Sequence, residues 1–153
     1  RFGKPHDNSG TPVRPWTFKA MAGAGALRST ARDLARFSGQ VISAVESPAT
    51  ALDRAIAETA MPLVGLGPRR DLEPMSQCLG WISITLGGSA SRMLFHDGGT
   101  AGSTSAIYVC PQKRAAIVLL ANRGVAAGVW SNLNLIWSNP HRVAHDHFSS
   151  LCP

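Results

Sequence analysis

Between Cys78 and Ala121 the chain alternates short apolar runs with turn residues, a two-residue rhythm that suits strands and little else. Four strands are predicted, near Cys78–Leu86, Arg92–His96, Ser103–Val109 and Ala115–Ala121. Gly87-Gly88-Ser89 turns the first pair and Pro111-Gln112-Lys113 the last. The run AAIVLLA, Ala115 to Ala121, is apolar throughout, which predicts a central place in the sheet.

The first half reads differently. Up to about Ala20, Pro5, Pro12 and Pro15 with Gly3 and Gly10 predict loop or extended chain. Gly23 and Gly25 break any helix. After them Thr30-Ala-Arg-Asp33 has the spacing of an N-terminal cap, with an acidic side chain in the positive first turn. Ser29 belongs to the same cap or its loop. Leu34, Phe37, Val41 and Val45 then recur near helical spacing and predict a buried stripe from about Thr30 to Val45. Pro48 is expected to open a second helix, carried by Leu52, Ile56 and Ala60 and stopped by Pro62. Val64 to Pro74 reads as a loop, and Val125–Trp137 as a closing helix.

The expected fold class is α+β: two helices, then a four-stranded antiparallel sheet. Residues 1–137 form the folded unit and 138–153 a polar tail. No internal repeat is visible. Trp16 and Trp81 read as packing anchors, and Met61, Met75 and Met93 as core filler.

Composition narrows the function classes. At 153 residues, 44% hydrophobic and 16% charged, the chain is long enough for one globular core. The net charge of +6 invites a nucleic-acid reading, but only Arg69-Arg70 and Lys113-Arg114 are adjacent and no aromatics interleave them, so no nucleic acid is expected as partner. Cys78, Cys110 and Cys152 are too few and too far apart for a disulfide framework or a zinc ribbon. His141, His145 and His147 with Asp146 and Cys152 resemble a ligand set, but Pro140 and the polar surroundings favour a frayed tail. No metal and no cofactor are expected. No apolar run approaches a membrane span, and RFGKPHDNSG is not a signal peptide.

The segment His96-Asp97-Gly98-Gly99-Thr100 sits between two strand-like runs and supports two readings. One is a strand end with a glycine-rich turn. The other is an anion-stabilising edge. Glycine lets the backbone approach a ligand closely, and amide N–H groups left off the ladder can face a carbonyl oxygen as it gains charge. A neighbouring histidine supplies a donor, or a proton carrier near neutral pH.

The segment HDGGTAG, His96 to Gly102, resembles the His-x-Gly-Gly-Thr-Gly-Gly signature of serine hydrolases related to class C β-lactamases. That family includes penicillin-binding proteins, esterases of β-lactamase fold and D-aminopeptidases. Three more blocks resemble it in order: PWTFKAMAGAGALRSTARDLARF from Pro15, LGW at Leu79–Trp81, and YVCPQKRAAIVLLANR from Tyr108. The resemblance implies part of a β-lactamase/transpeptidase-like fold, residues 1–137 being its C-terminal portion. It puts His96-Asp97-Gly98 in the place of the Lys-Thr-Gly strand motif. Gly99 would give an oxyanion-hole N–H, with His96 beside it as the second catalytic position. Asp97, Gly98 and Thr100 would meet the substrate or brace the turn. Ala101 departs from the usual glycine.

The family's nucleophile is the serine of Ser-x-x-Lys, whose lysine takes its proton. No such motif occurs in this sequence: Arg1, Trp16 and Cys110 stand three places before Lys4, Lys19 and Lys113. Ser29-Thr-Ala-Arg32 and Ser89-Ala-Ser-Arg92 come nearest, but arginine stays protonated. The only tyrosine, Tyr108, is followed by Val-Cys rather than x-Asn. Both motifs would lie upstream, as would any export signal of a periplasmic or secreted parent. The expected partners are a small acyl substrate (ester, amide or β-lactam) and the missing N-terminal half. A non-catalytic ligand-binding or pairing module of the same fold is the alternative.

Overall fold

The computed structural model describes residues 3–66, 74–85 and 91–124. The turn at 87–89, the closing helix at 125–137, the tail and its histidines lie outside the described residues.

Helix α1, Ala31–Glu46, starts at Thr30, whose hydroxyl accepts the Asp33 N–H at 3.1 Å. Its stripe is narrower than the spacing predicts. Val41 is fully buried, Leu34 and Val45 are half-buried, and Phe37 stands exposed. Helix α2, Ala51–Thr59, is capped by Thr50, not opened by Pro48. Thr50 accepts the Asp53 N–H at 3.1 Å, and the Asp53 carboxylate accepts the Thr50 N–H at 2.9 Å. A proline can only pre-set a backbone angle, whereas threonine satisfies a donor. That reciprocal pair, the Thr50 N–H first, holds the Asp53 carboxyl below its ordinary value. Its support is therefore present above the unfolded carboxyl pKa and fades as pH falls through the lowered folded one. Leu52 points outward and contributes nothing to the core.

Among the described residues six strands, not four, form one antiparallel meander: β1 Val64–Gly65, β2 Met75–Gln77, β3 Ile82–Thr85, β4 Arg92–Gly99, β5 Thr104–Cys110 and β6 Ala115–Ala121, in that spatial order. The first two are too short to show a period. β1 lies in the segment expected to be a loop. The predicted strand from Cys78 begins only at Ile82, because Cys78 to Trp81 make the β2–β3 turn, with the Cys78 N–H donating to the Trp81 carbonyl at 2.8 Å. β6 ends the order of described strands rather than lying at its centre, and Leu119 and Leu120 are exposed. Its apolar run reflects β propensity more than burial.

Alternation along β4 divides the core. Leu94 faces the helices and packs with Val41, Ile42, Ala60, Trp81 and Val109. Met93 and Phe95 face the other way, with Met75, Ile84, Tyr108 and Cys110. Full burial of each large side chain is worth about 1.5–3 kcal/mol. Trp81, Met75 and Met93 are the anchors and filler expected, but Trp16 and Met61 are exposed. No helix among the described residues is long and apolar enough to cross a membrane.

The N-terminal stretch is extended as expected, and it has a structural task. The His6 N–H is shared between the Asn122 carbonyl at 2.9 Å and the Gly102 carbonyl at 3.2 Å. The Gly124 N–H returns to the His6 carbonyl at 2.7 Å, and Asn122 Nδ2 donates to the Lys4 carbonyl at 3.0 Å. Residues 4–6 thus tie the β4–β5 turn to the end of β6. Gly102 permits this closeness: a Cβ there would lie 2.4 Å from Val13 Cγ2 and 2.6 Å from Pro5 Cβ.

Two outcomes follow. Thr50→Ala should lower stability by about 1 kcal/mol in chemical denaturation, with Thr50→Asn close to wild type. Gly102→Ala should cost about 1–3 kcal/mol and speed hydrogen exchange at the His6 and Gly124 amides, while helix amides keep their protection.

Candidate active site

The glycine segment does not interrupt the sheet. β4 continues through it, pairing His96 with Ile107, Asp97 with Ala106, Gly98 with Ser105 and Gly99 with Thr104. The chain turns only at Ala101-Gly102. Thr100 holds that turn: its N–H donates to the Ser103 carbonyl at 2.8 Å, and its Oγ1 accepts the Ser103 N–H at 3.1 Å and the Gly102 N–H at 3.3 Å. Of the two roles expected for Thr100, bracing is the one these bonds describe.

Pairing parity then orients the backbone. In an antiparallel ladder, alternate residues exchange both hydrogen bonds with their partner, and those between turn theirs the other way. The Thr100–Ser103 bond makes that a bonded pair. By alternation, Gly98 and His96 bond β5, while Asp97 and Gly99 turn their N–H and C=O groups to the β3 side. β3 pairs with β4 only as far as Ile82 opposite Phe95. Beyond that point the neighbour is the tip of the β2–β3 hairpin, Leu79-Gly80. The Gly99 amide is therefore aimed off β5, past the end of the paired part of β3.

The side chains divide by parity too. His96 and Gly98 share the helix-facing side with Leu94, and the imidazole is exposed. Asp97 takes the opposite face with Phe95 and Tyr108, and is half-buried. Burial pushes the Tyr108 phenol well above its ordinary value, and the Asp97 charge adds to the effect. Tyr108 is sealed and neutral, a core residue stacked on Phe95 with centroids 6.2 Å apart. The strand thus brings His96, Gly98 and Gly99 to one edge and sets the Asp97 side chain behind it. Gly98 is open enough for a Cβ to reach only Ser105 Oγ, at 3.5 Å.

The same register brings Trp81 level with His96 on the helix-facing side. Phe37 of α1 stacks on Trp81, ring centroids 6.2 Å apart and planes 10° apart. Helical spacing alone assigns Phe37 to the core, and no sequence signal distinguishes it from Val41. Among the described residues no cluster of histidine, cysteine and carboxylate side chains could hold a metal ion.

This arrangement can be compared with known proteins. A crystal structure described as a β-lactamase/D-alanine carboxypeptidase from Pseudomonas syringae superposes with a TM-score of 0.67 at 20% sequence identity. The match covers 91% of this chain and 46% of that one, so the chain spans less than half the length of that protein. A search of curated proteins found no match. The β-lactamase family profile matches residues 2–134. With two helices on an antiparallel sheet and a His-Asp-Gly-Gly segment that ends β4 beyond its pairing with β3, the chain belongs to the β-lactamase family.

Proposed function

We propose that this chain forms one wall of a serine acyl-hydrolase site, acting on a small ester, amide or β-lactam. The carrying observation is the orientation of the Gly99 amide, aimed off β5 on the strand that also carries the exposed His96, within a chain matched by the family over residues 2–134.

The geometry supports the following roles. As a serine oxygen adds to the substrate carbonyl, the carbonyl π electrons move onto its oxygen. The Gly99 N–H would stabilise that charge, a donor of this kind being worth about 2.7–4 kcal/mol in the barrier. Because it belongs to a paired strand, it needs little reorganisation as the charge develops. The His96 ring stands where it can donate a hydrogen bond to the substrate or carry a proton between the leaving group and water. Gly98 leaves room for the substrate to approach the strand, and Thr100 keeps the turn in register. The Asp97 side chain lies on the far face, where its charge adds to the burial that keeps Tyr108 neutral.

The serine and its base are supplied from outside these 153 residues, which contain no Ser-x-x-Lys. The proposed partner is accordingly an N-terminal half of the same fold, joined upstream or acting as a separate chain. The missing motif also favours a second reading, in which the segment binds acyl ligands without turning them over.

The purified chain should not hydrolyse nitrocefin, p-nitrophenyl acetate or D-alanine p-nitroanilide, whereas saturating N-acetyl-D-alanine should shift the Gly99 amide proton downfield in NMR spectra. A Gly99 resonance indifferent to every acyl ligand would sink both readings. In a longer product of the same gene carrying Ser-x-x-Lys and Tyr-x-Asn, Gly99→Pro should lower kcat by about 10²–10³. Full length without turnover, but with saturable binding, would select the second reading.

A further inference from the structure

Hydrogen-bond parity extends from β4 across β5 to the far side of the sheet. The odd-numbered residues of β5 bond β4, so its even-numbered residues bond β6, through Ala115, Ile117, Leu119 and Ala121. Ala116, Val118 and Leu120 therefore turn both N–H and C=O outward, and among the described residues nothing bonds to them there. Sheet edges are commonly guarded by a charge, a proline or a bulge. The edge AAIVLLA has none of the three.

We propose that this edge pairs with the same edge of a second copy, antiparallel about a two-fold axis at Val118. Val118 then meets Val118, and Ala116 meets Leu120 on either side, three bonded pairs that exchange two hydrogen bonds each. The opposite end of the sheet serves less well: β1 is two residues long, so a head-to-tail contact would close a shorter ladder. Side chains fit in the same register. Val118 lies opposite Ile107 on the helix-facing side, and Ala116 and Leu120 share that side. There α1 and β6 flank an open groove of about 510 Å³, lined chiefly by Ala31, Ala35, Gly39, Ile42, Ala116 and Val118. Leu120, 44% exposed, is set beside Ala116 of the second copy, at that groove, and the fit repeats by symmetry. Ala31, Ala35 and Gly39 recur every fourth residue and stand exposed, so no bulky side chain on this flank of α1 bars the second sheet. Charge does not oppose the contact. The strand carries none, and the arginines at its ends are held within the chain, Arg114 on Glu46 at 2.9 Å and Arg123 by the Asn8 carbonyl. A ladder this short with one leucine per side lies at the weak end of specific interfaces.

The test is sedimentation equilibrium of the whole chain, with amide hydrogen exchange by NMR, from about 10 μM to about 1 mM. The mass should rise from that of one chain to twice it. Over the same range exchange at Ala116, Val118 and Leu120 should slow by at least about five-fold, with the Ala115, Ile117 and Leu119 amides unchanged. Leu120→Lys, at an exposed position where the fold is not at stake, should weaken association by at least about ten-fold. Val118→Pro removes only an outward N–H and should weaken it as far while the β5–β6 ladder persists. Val64→Lys, on the opposite edge, should leave association unchanged. A chain that stays monomeric overturns the proposal, and so does association that survives Leu120→Lys in a folded chain. Slow exchange at the three outward amides of a monomer assigns the edge to another part of the chain and overturns it too. Growth beyond two copies means an open array, not a closed pair, and overturns it as well.

Discussion

Hydrogen-bond parity along β4 is the constraint on which the site depends. A strand residue cannot direct its amide to both neighbours. Once Thr100 and Ser103 close the turn, each residue back along the strand is committed to one side. Shifting the turn by a single residue would exchange the roles of Gly98 and Gly99, aim a different amide past the hairpin, and move His96 to the other face. The bonds around Thr100 and the N-terminal arm at Gly102 therefore set the register of the site as well as closing a loop.

Packing reinforces that register. Leu94 and Val109 are held against the helices while Phe95 and Tyr108 lie in the opposite cluster, so a slip would bring apolar side chains to the wrong face at both layers. His96 follows two residues after Leu94, on the same side but exposed. The core ends just before the polar residues begin. A rigid support and an open edge are thereby joined on one strand.

Much of this arrangement is legible in the sequence, for identifiable reasons. Thr30 and Asp33 announce the start of α1 because a cap is a local interaction, and the alternation around Met93 to Phe95 and Ala106 to Val109 marks the two best-paired strands. The segment from His96 to Thr100 stands out by residue type. Its conformation is a different matter: glycine suggests a corner, yet long-range pairing with Ser105 and Thr104 keeps it extended, and nothing local reports a partner several residues away. The position of β6 at the end of the described strands is hidden for the same reason, since an apolar run carries no record of which neighbours it has. Phe37 looks like any helical core residue. Only its stacking on Trp81, a contact across 44 positions of sequence, sets it apart from Val41.

The group assigned to Gly99 belongs to the main chain, and this bears on how such a site can change over evolutionary time. Every amino acid except proline brings the same N–H, so on the proposed reading the anion-stabilising donor would survive any drift in the side chain at that position, proline alone excepted.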